Sequence, residues 1–314
     1  AWGYGKALYV QHPDGTTTVY GHLGRFAPTI NEAALRLHYG KKSFEIDQPI
    51  DPGVLPVQRG EVIAWSGNTG GSSAPHLHFE VRRTSDQHAL DPEANGVDLT
   101  DDIAPDIVGV RLYALDSTSR TCPYPGKAKG FAAELRNGTY KLAPEARVAA
   151  YGTVGLAVHA IDRYNGTSNT CGVRSIELHV DSVKVFSVHL DEIDFDLNRY
   201  CDAHMDFGLE KGSDMYYHRL YKLPNNPLAI YGPEPTQGRI ALQAGRTYRI
   251  RVVVVDANGN RSALVFDLRG ATAQEARAWP SPTAQGTPFR HDGENRMARD
   301  GIRLVVPASS LYDD

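Results

Sequence analysis

The sequence has little cysteine and no paired cysteine motif. Cys122, Cys171 and Cys201 stand far apart among 314 residues. Without a CxxC there is no cysteine zinc knuckle, and three thiols cannot staple a disulfide-dense scaffold. One bridge with a thiol left over and three buried thiols both fit, so cysteine usage assigns no compartment. No apolar run reaches the ~18 residues that a membrane-spanning helix needs, so there is no transmembrane segment in this reading. An excess of positive charge is missing too: a formal net charge of −4 leaves no basic footprint and gives no support for nucleic-acid binding. The opening AWGYGKALYV shows neither an initiator Met nor a signal-peptide pattern.

What is present is an ordinary globular composition, 41% hydrophobic and 22% charged, sufficient for sizeable cores. The length suggests about two domains. In the first ninety residues, strand-like runs alternate with glycine turns. KALYVQH and TTTVYGHL flank PDG, a hairpin signal. GEVIAWSG and HLHFEVRR flank the longer loop NTGGSSAP and are predicted to form a second hairpin. Between the two lies an insertion whose first part, Asn31 to His38, predicts a short helix capped by Asn31.

In APHLHFEVRR (Ala74 to Arg83) two histidines are one residue apart. Alternate side chains of a strand share a face, so His76, His78 and Glu80 are expected on one side. Leu77, Phe79 and Val81 are expected on the other, facing a core. His22, in VYGHLG, ends the other hairpin, where its ring can converge on the same place. An HxH pair alone is weak: partly exposed strand histidines explain it as well as half of a metal site. His12, His38 and His88 read as surface or loop residues. His159, His179, His189, His204, His218 and His291 lack ligand spacing and read as structural.

TTVYGHLGRF followed by PVQRGEVIAWSGNTGGSSAPHLHFEV resembles the lysostaphin/LytM-type zinc endopeptidases, which carry a YxHL segment and then a PHLHFE segment behind a glycine-rich loop. The resemblance spans about the first 83 residues. It implies a small antiparallel β fold with a groove, one Zn2+ ion, and hydrolysis of peptide bonds in peptidoglycan, as in cell-wall remodelling. Carried over position by position, His78 is the zinc ligand, and His76 and His22 are the catalytic histidines. The residue types suit that chemistry. Neutral imidazole is a good zinc ligand, and the metal brings the pKa of its water to ~7 and polarises the scissile carbonyl. An adjacent histidine can move a proton or stabilise the oxyanion. Gly67, Gly70 and Gly71 would let the loop turn before the strand.

The family's other two ligands come from an HxxxD segment upstream of the first hairpin, and no HxxxD precedes His22 here. The sequence is therefore read as truncated at its N-terminus, its remaining ligands expected upstream of residue 1. The chain by itself is expected to bind zinc poorly and to be inactive. The alternative is a catalytically inactive LytM-like regulatory or peptidoglycan-binding module.

An acidic stretch, LDPEANGVDLTDDIAPDI, follows, and beyond it IVGVRLYAL, TVGLAVHAID, VRSIELHVD, KVFSVHLDEIDF, GRIALQ and TYRIRVVVVD read as alternating strands. Their number and spacing suggest an immunoglobulin-like β-sandwich, without the Cys–Trp–Cys spacing of true immunoglobulin domains. The expected class is mainly β, with four regions. Residues 1–92 form the C-terminal part of a LytM-type peptidase domain, 93–106 a linker, 107–270 the sandwich, and 271–314 a polar linker with the start of a further β module. This order is similar to that of a peptidase subgroup in Bacteroidetes-type bacteria. It implies a periplasmic or extracytoplasmic envelope protein with envelope proteins as further partners. The sandwich could instead carry the function as a spacer or wall-adhesion module. Finally, DANGN places Asp256, Asn258 and Asn260 at alternate positions, resembling a calcium loop. The fourth-place glycine and the lack of a distal Glu exclude an EF-hand, and an Asn-Gly hairpin turn is expected.

Overall fold

A computed structural model of the chain describes residues 3–122, 128–213, 215–279, 287–299 and 301–312. The fold is mainly β. The chain divides into two compact units, Ala1–Asn95 and Gly96–Asp314. Among the described residues no helix is long and apolar enough to cross a membrane, and Cys122, Cys171 and Cys201 are not in disulfides.

In the first unit, β1 (Leu8–Gln11) and β2 (Thr16–Gly21) form the expected hairpin, with Leu8 opposite Tyr20 and Gln11 opposite Thr17. The Asp14 carboxylate closes the turn by accepting from the Thr16 amide at 2.9 Å, the local bond that makes Asp a turn residue. The short β3 (Leu23–Phe26) follows directly, and then α1 (Pro28–Lys41). That helix begins three residues before the expected Asn31 start. Its N-cap is Ala27 and its first residue is Pro28, whose fixed φ suits the first helical position.

The second predicted hairpin is not formed. β4 (Ala64–Ser66) pairs with β3, and β5 (His78–Arg83) pairs with β2 from Thr16↔Arg83 to Gly21↔His78. Only an isolated bridge, Gly67↔His76, joins the two ends of the intervening loop. An eleven-residue loop imposes no tight-turn register, so each strand is free to take a better partner elsewhere. β6 (Ala89–Leu90) completes the order β1-β2-β5-β6.

The expected burial of β5 is partly reversed. Val81 is buried, but Leu77 is 47% exposed. The face carrying His78, Glu80 and Arg82 also carries Val19 and Thr17 of β2, both essentially inaccessible. That face is therefore covered at its Arg82 end and open toward the histidines.

In the second unit the principal strands are β7 (Asp106–Ala114), β8 (Arg120–Thr121), β9 (Ala128–Arg136), β10 (Thr139–Leu142), β11 (Ala149–Tyr151), β12 (Thr153–Ile161), β13 (Ser175–Val180) and β14 (Val183–His189). After them come β15 (Glu192–Ile193), β16 (Tyr217–Arg219), β17 (Ile240–Ala241), β18 (Thr247–Val255) and β19 (Arg261–Gly270). The main sheet runs β14-β13-β18-β19-β10-β9-β7-β12-β16. β10 is the seam: it pairs antiparallel with β9 and parallel with β19. Alternate residues from both sides of the seam, including Leu112, Leu156, Ile176, Phe186, Ile250 and Leu264, share one core. β18 and β19 pair in continuous register from Thr247↔Arg269 to Val255↔Arg261, closed by the DANGN turn as expected. Beyond β19, the region read as a polar linker contains a short capped helix, α2 (Ala273–Arg277), whose Thr272 and Glu275 form a reciprocal capping box. A hairpin of β20 (Asn295–Arg299) and β21 (Ile302–Val306) follows.

Candidate functional site

The three histidines singled out by sequence come together in the first unit. The His22 ring centroid lies 4.7 Å from that of His76 and 5.7 Å from that of His78. His22 occupies the one-residue corner between β2 and β3. Its φ of 56° is the left-handed region, which a non-glycine residue enters at a cost of order 1 kcal/mol. That corner is held by the backbone of residues 4–6, since His22 N donates to Tyr4 O at 2.7 Å and Leu23 N donates to Lys6 O at 3.0 Å. His22 is buried, His78 half-buried and His76 exposed.

Each ring has one nitrogen engaged by a protein acceptor. His22 Nδ1 lies 2.8 Å from Thr69 O, and His76 Nδ1 lies 2.8 Å from Ala74 O. His78 Nε2 lies 2.5 Å from Glu80 Oε1. A carbonyl or an ionised carboxylate can only accept, so each of these nitrogens carries the proton in the neutral form of its ring. The lone pairs then fall on Nε2 of His22 and His76 and on Nδ1 of His78. For His78 this is the carboxylate–imidazole arrangement that fixes a metal-ligating tautomer and raises its basicity.

Glu80 is clamped in turn. Tyr4 Oη donates to Oε1 at 2.5 Å, Arg82 Nε donates to Oε2 at 2.6 Å, and Arg82 also reaches Tyr4 Oη at 2.9 Å. Burial alone would raise the Glu80 carboxyl, but the hydrogen bonds from Arg82, Tyr4 and His78 outweigh it and hold it below the usual carboxylate value. Burial and then the Glu80 hydrogen bond push the Tyr4 phenol up to about 12. Sequence reasoning missed Tyr4 and Arg82. The period-two continuation His78, Glu80, Arg82 was a usable signal for the arginine, whereas nothing local marks Tyr4.

Thr69 ties the loop to the corner. Its hydroxyl donates to Leu23 O at 2.8 Å and accepts from Lys6 N at 2.9 Å, while its carbonyl faces His22. The neighbouring Gly70 has φ +79°, and a Cβ there would lie 2.3 Å from Gly5 N. Gly67 serves closeness instead, since its Cβ would lie 2.5 Å from Gly24 Cα. Gly71 meets nothing closer than 3.6 Å, so the expected need for glycine there is not a steric one.

No trio of His, Cys, Asp or Glu among the described residues of this unit gathers its donor atoms tightly enough to hold an ion. The site therefore offers His78 as one metal ligand of suitable tautomer, flanked by two imidazole bases, and not a full coordination set.

No family model matches the chain, and no solved structure matches it. Curated proteins do. The chain is 32% identical over 80 residues to the DD-carboxypeptidase/endopeptidase Mpg of Neisseria meningitidis serogroup B and, equally, to that of Neisseria gonorrhoeae. Part of this chain is similar to a peptidase. The match covers 26% of the chain and spans 13% of the relatives' length.

Proposed function

We propose that the first unit is part of the catalytic groove of a zinc metalloendopeptidase that hydrolyses peptide bonds in peptidoglycan, at an extracytoplasmic location. Residues 1–92 are then the C-terminal part of a LytM-type domain, and residues 107–270 an immunoglobulin-like module. The observation that carries this reading is the convergence of His22, His76 and His78 with complementary tautomers, one nitrogen of each ring fixed and the other free. Similarity to a DD-carboxypeptidase/endopeptidase supports it.

In this reading His78 Nδ1 is a zinc ligand oriented by Glu80, which Tyr4 and Arg82 hold ionised. The bound zinc would supply Lewis-acid polarisation of the scissile carbonyl and an acidified water. His22 Nε2 and His76 Nε2 both offer lone pairs, so either can take a proton from water and, once protonated, return it to the leaving amine. His22, buried and held by Thr69, suits a fixed orientation, and exposed His76 suits the substrate-facing side.

The lack of a three-donor set among the described residues favours one competing reading, a groove that holds peptidoglycan or a partner hydrolase without cutting. Zinc analysis and a peptidoglycan-release assay on the full-length protein separate the two. His78→Ala is expected to lose both zinc and turnover, whereas His76→Ala and His22→Ala keep most zinc and lose turnover. Retained turnover in His76→Ala would overturn its assigned role. A wild-type protein that binds no zinc and releases nothing would leave the non-enzymatic reading.

A further inference from the structure

In the second unit, the Asp256–Asn260 turn between β18 and β19 does more than reverse the chain. Asn258 Nδ2 donates to Leu99 O at 2.9 Å and Asn260 Nδ2 donates to Asp101 O at 3.1 Å. The two asparagines thereby fasten the segment that leads into β7 across the turn. Asp162, just after β12, meets them there. One ligand atom from each of Asp101, Asp162 and Asp256 lies within 4.8 Å of the others.

Two of these carboxylates are almost wholly removed from water, with Asp162 3% and Asp256 1% exposed. Each of the three uses one oxygen internally. Asp256 Oδ1 accepts from Asn260 N at 2.8 Å, Asp101 Oδ1 from Ile103 N at 3.1 Å, and Asp162 Oδ2 from Cys171 Sγ at 3.7 Å. The other oxygens, Asp101 Oδ2, Asp162 Oδ1 and Asp256 Oδ2, are buried without a hydrogen-bond partner. Buried charges are normally paired or bound to a metal. Burial first, and the neighbouring carboxylates of Asp256 and Asp101 after it, push the Asp162 carboxyl up to about 6. Three carboxylates gathered within 4.8 Å, each with one buried oxygen left unpartnered, are electrostatically incomplete.

We propose that Asp101, Asp162 and Asp256 hold a calcium ion that fastens the Leu99–Ile103 segment to the β18–β19 turn. Hard oxygen donors select calcium, magnesium or manganese over softer metals. Ligand atoms that all lie within 4.8 Å of one another are close enough to share an ion bonded at about 2.4 Å, the calcium–oxygen range. Magnesium usually keeps several waters and takes one or two carboxylates rather than a protein cage, which does not suit a trio buried this deeply. Asp256 was visible in the sequence as part of DANGN, but its partners are Asp101 and Asp162, and not the asparagines, which instead position the backbone.

The test is equilibrium dialysis of the chain against radioactive calcium at micromolar to millimolar concentration, with melting curves in chelator, calcium and magnesium. The expected result is one calcium per chain and a melting temperature several degrees higher in calcium than in chelator. Asp162→Asn and Asp256→Asn should each lose the bound ion and the calcium-dependent rise. Both should melt at or above the wild-type temperature in chelator, because each removes a repelling charge. No ion bound by the wild-type chain at millimolar calcium overturns the proposal, however the variants fold. Undiminished binding in both variants overturns the site, and an equal rise with magnesium overturns the choice of calcium.

Discussion

Acid should weaken the second unit through a histidine pair that has no part in the candidate site. His204 and His218 are buried, with Nε2 of the first 3.1 Å from Nδ1 of the second. The Tyr231 hydroxyl lies 3.5 Å from His204 Nδ1 and accepts from Asn226 Nδ2 at 2.9 Å. One assignment satisfies all of these: Tyr231 donates to His204 Nδ1, and His204 Nε2–H donates to His218 Nδ1. It requires both rings neutral. Burial, with His159 adding to it, pushes His218 down to about 4 from 6.5. Burial, then His218 and Arg219, hold His204 well below that ordinary value.

The folded-state values lie below the unfolded one, so the unfolded chain binds more protons in the window between them. Stability is fully present above about pH 6.5 and falls as pH drops through that window toward 4. At about 1.4 kcal/mol per unit, His218 alone should cost about 2 kcal/mol at about pH 5, and His204 adds to it in the same direction. In chelator, without an ion on the three carboxylates, Asp162 acts with the opposite sign. Its folded value near 6 lies above the unfolded one, so stability is gained as pH falls toward 4. A bare pH profile of the wild-type chain therefore mixes the two. The informative comparison is wild type against His218→Asn, whose amide keeps an acceptor near the Nδ1 position but does not titrate. Urea unfolding across the pH range gives the difference directly. The variant should be less stable near neutrality and should close that gap by about 2 kcal/mol at about pH 5. A gap that stays constant from neutrality to about pH 5 would refute the neutral buried pair.

Two further substitutions test the packing on which the reading rests. Gly70→Ala places a methyl 2.3 Å from Gly5 N at a positive φ. It should cost about 2–4 kcal/mol, and by shifting Thr69 O from His22 it should lower turnover of the full-length protein more than His22→Ala lowers zinc content. Leu156→Ala, in the core of the second unit and inaccessible to solvent, should cost about 2–5 kcal/mol in urea unfolding without changing calcium or zinc content.

The strands were legible wherever period-two patterning was strong. β1, β2, β12, β13 and β18 fall within runs read from the sequence, and β7 and β14 each begin one residue before theirs. Which strand would pair with which was not. The NTGGSSAP loop is long enough to leave register open, and β4 and β5 each found other partners. How far each face of β5 is covered was not legible for a related reason. Alternation says which residues share a side, but which side is covered depends on what lies over it. Here that includes Tyr4, from a segment far away in sequence, whose ring centroid lies 4.8 Å from that of His78.

The two candidate sites show how far local pattern carries. His76, His78, Glu80 and Arg82 occupy alternate positions of one short stretch, so their common side could be read directly. Yet what gives the histidines distinct chemistry is the acceptor each one meets. Thr69 O, Ala74 O and Glu80 decide which nitrogen keeps its lone pair, and of these only Glu80 stood out in the motif. Asp101, Asp162 and Asp256 lie in three separate parts of the chain, and neither composition nor spacing joins them. Asp101 is held beside Asp256 by the asparagine side chains of DANGN, which bind the backbone at Leu99 and Asp101, and Asp162 comes from just after the end of β12. A motif that read as a turn is a turn, and its asparagines also bring one of the three carboxylates to the others. If those carboxylates hold no ion, their unpartnered oxygens must be satisfied by protonation as pH falls, and the stability of the wild-type chain relative to Asp162→Asn should then drop by about 1 kcal/mol from pH 5 to pH 7, the contribution of the buried histidines being common to both.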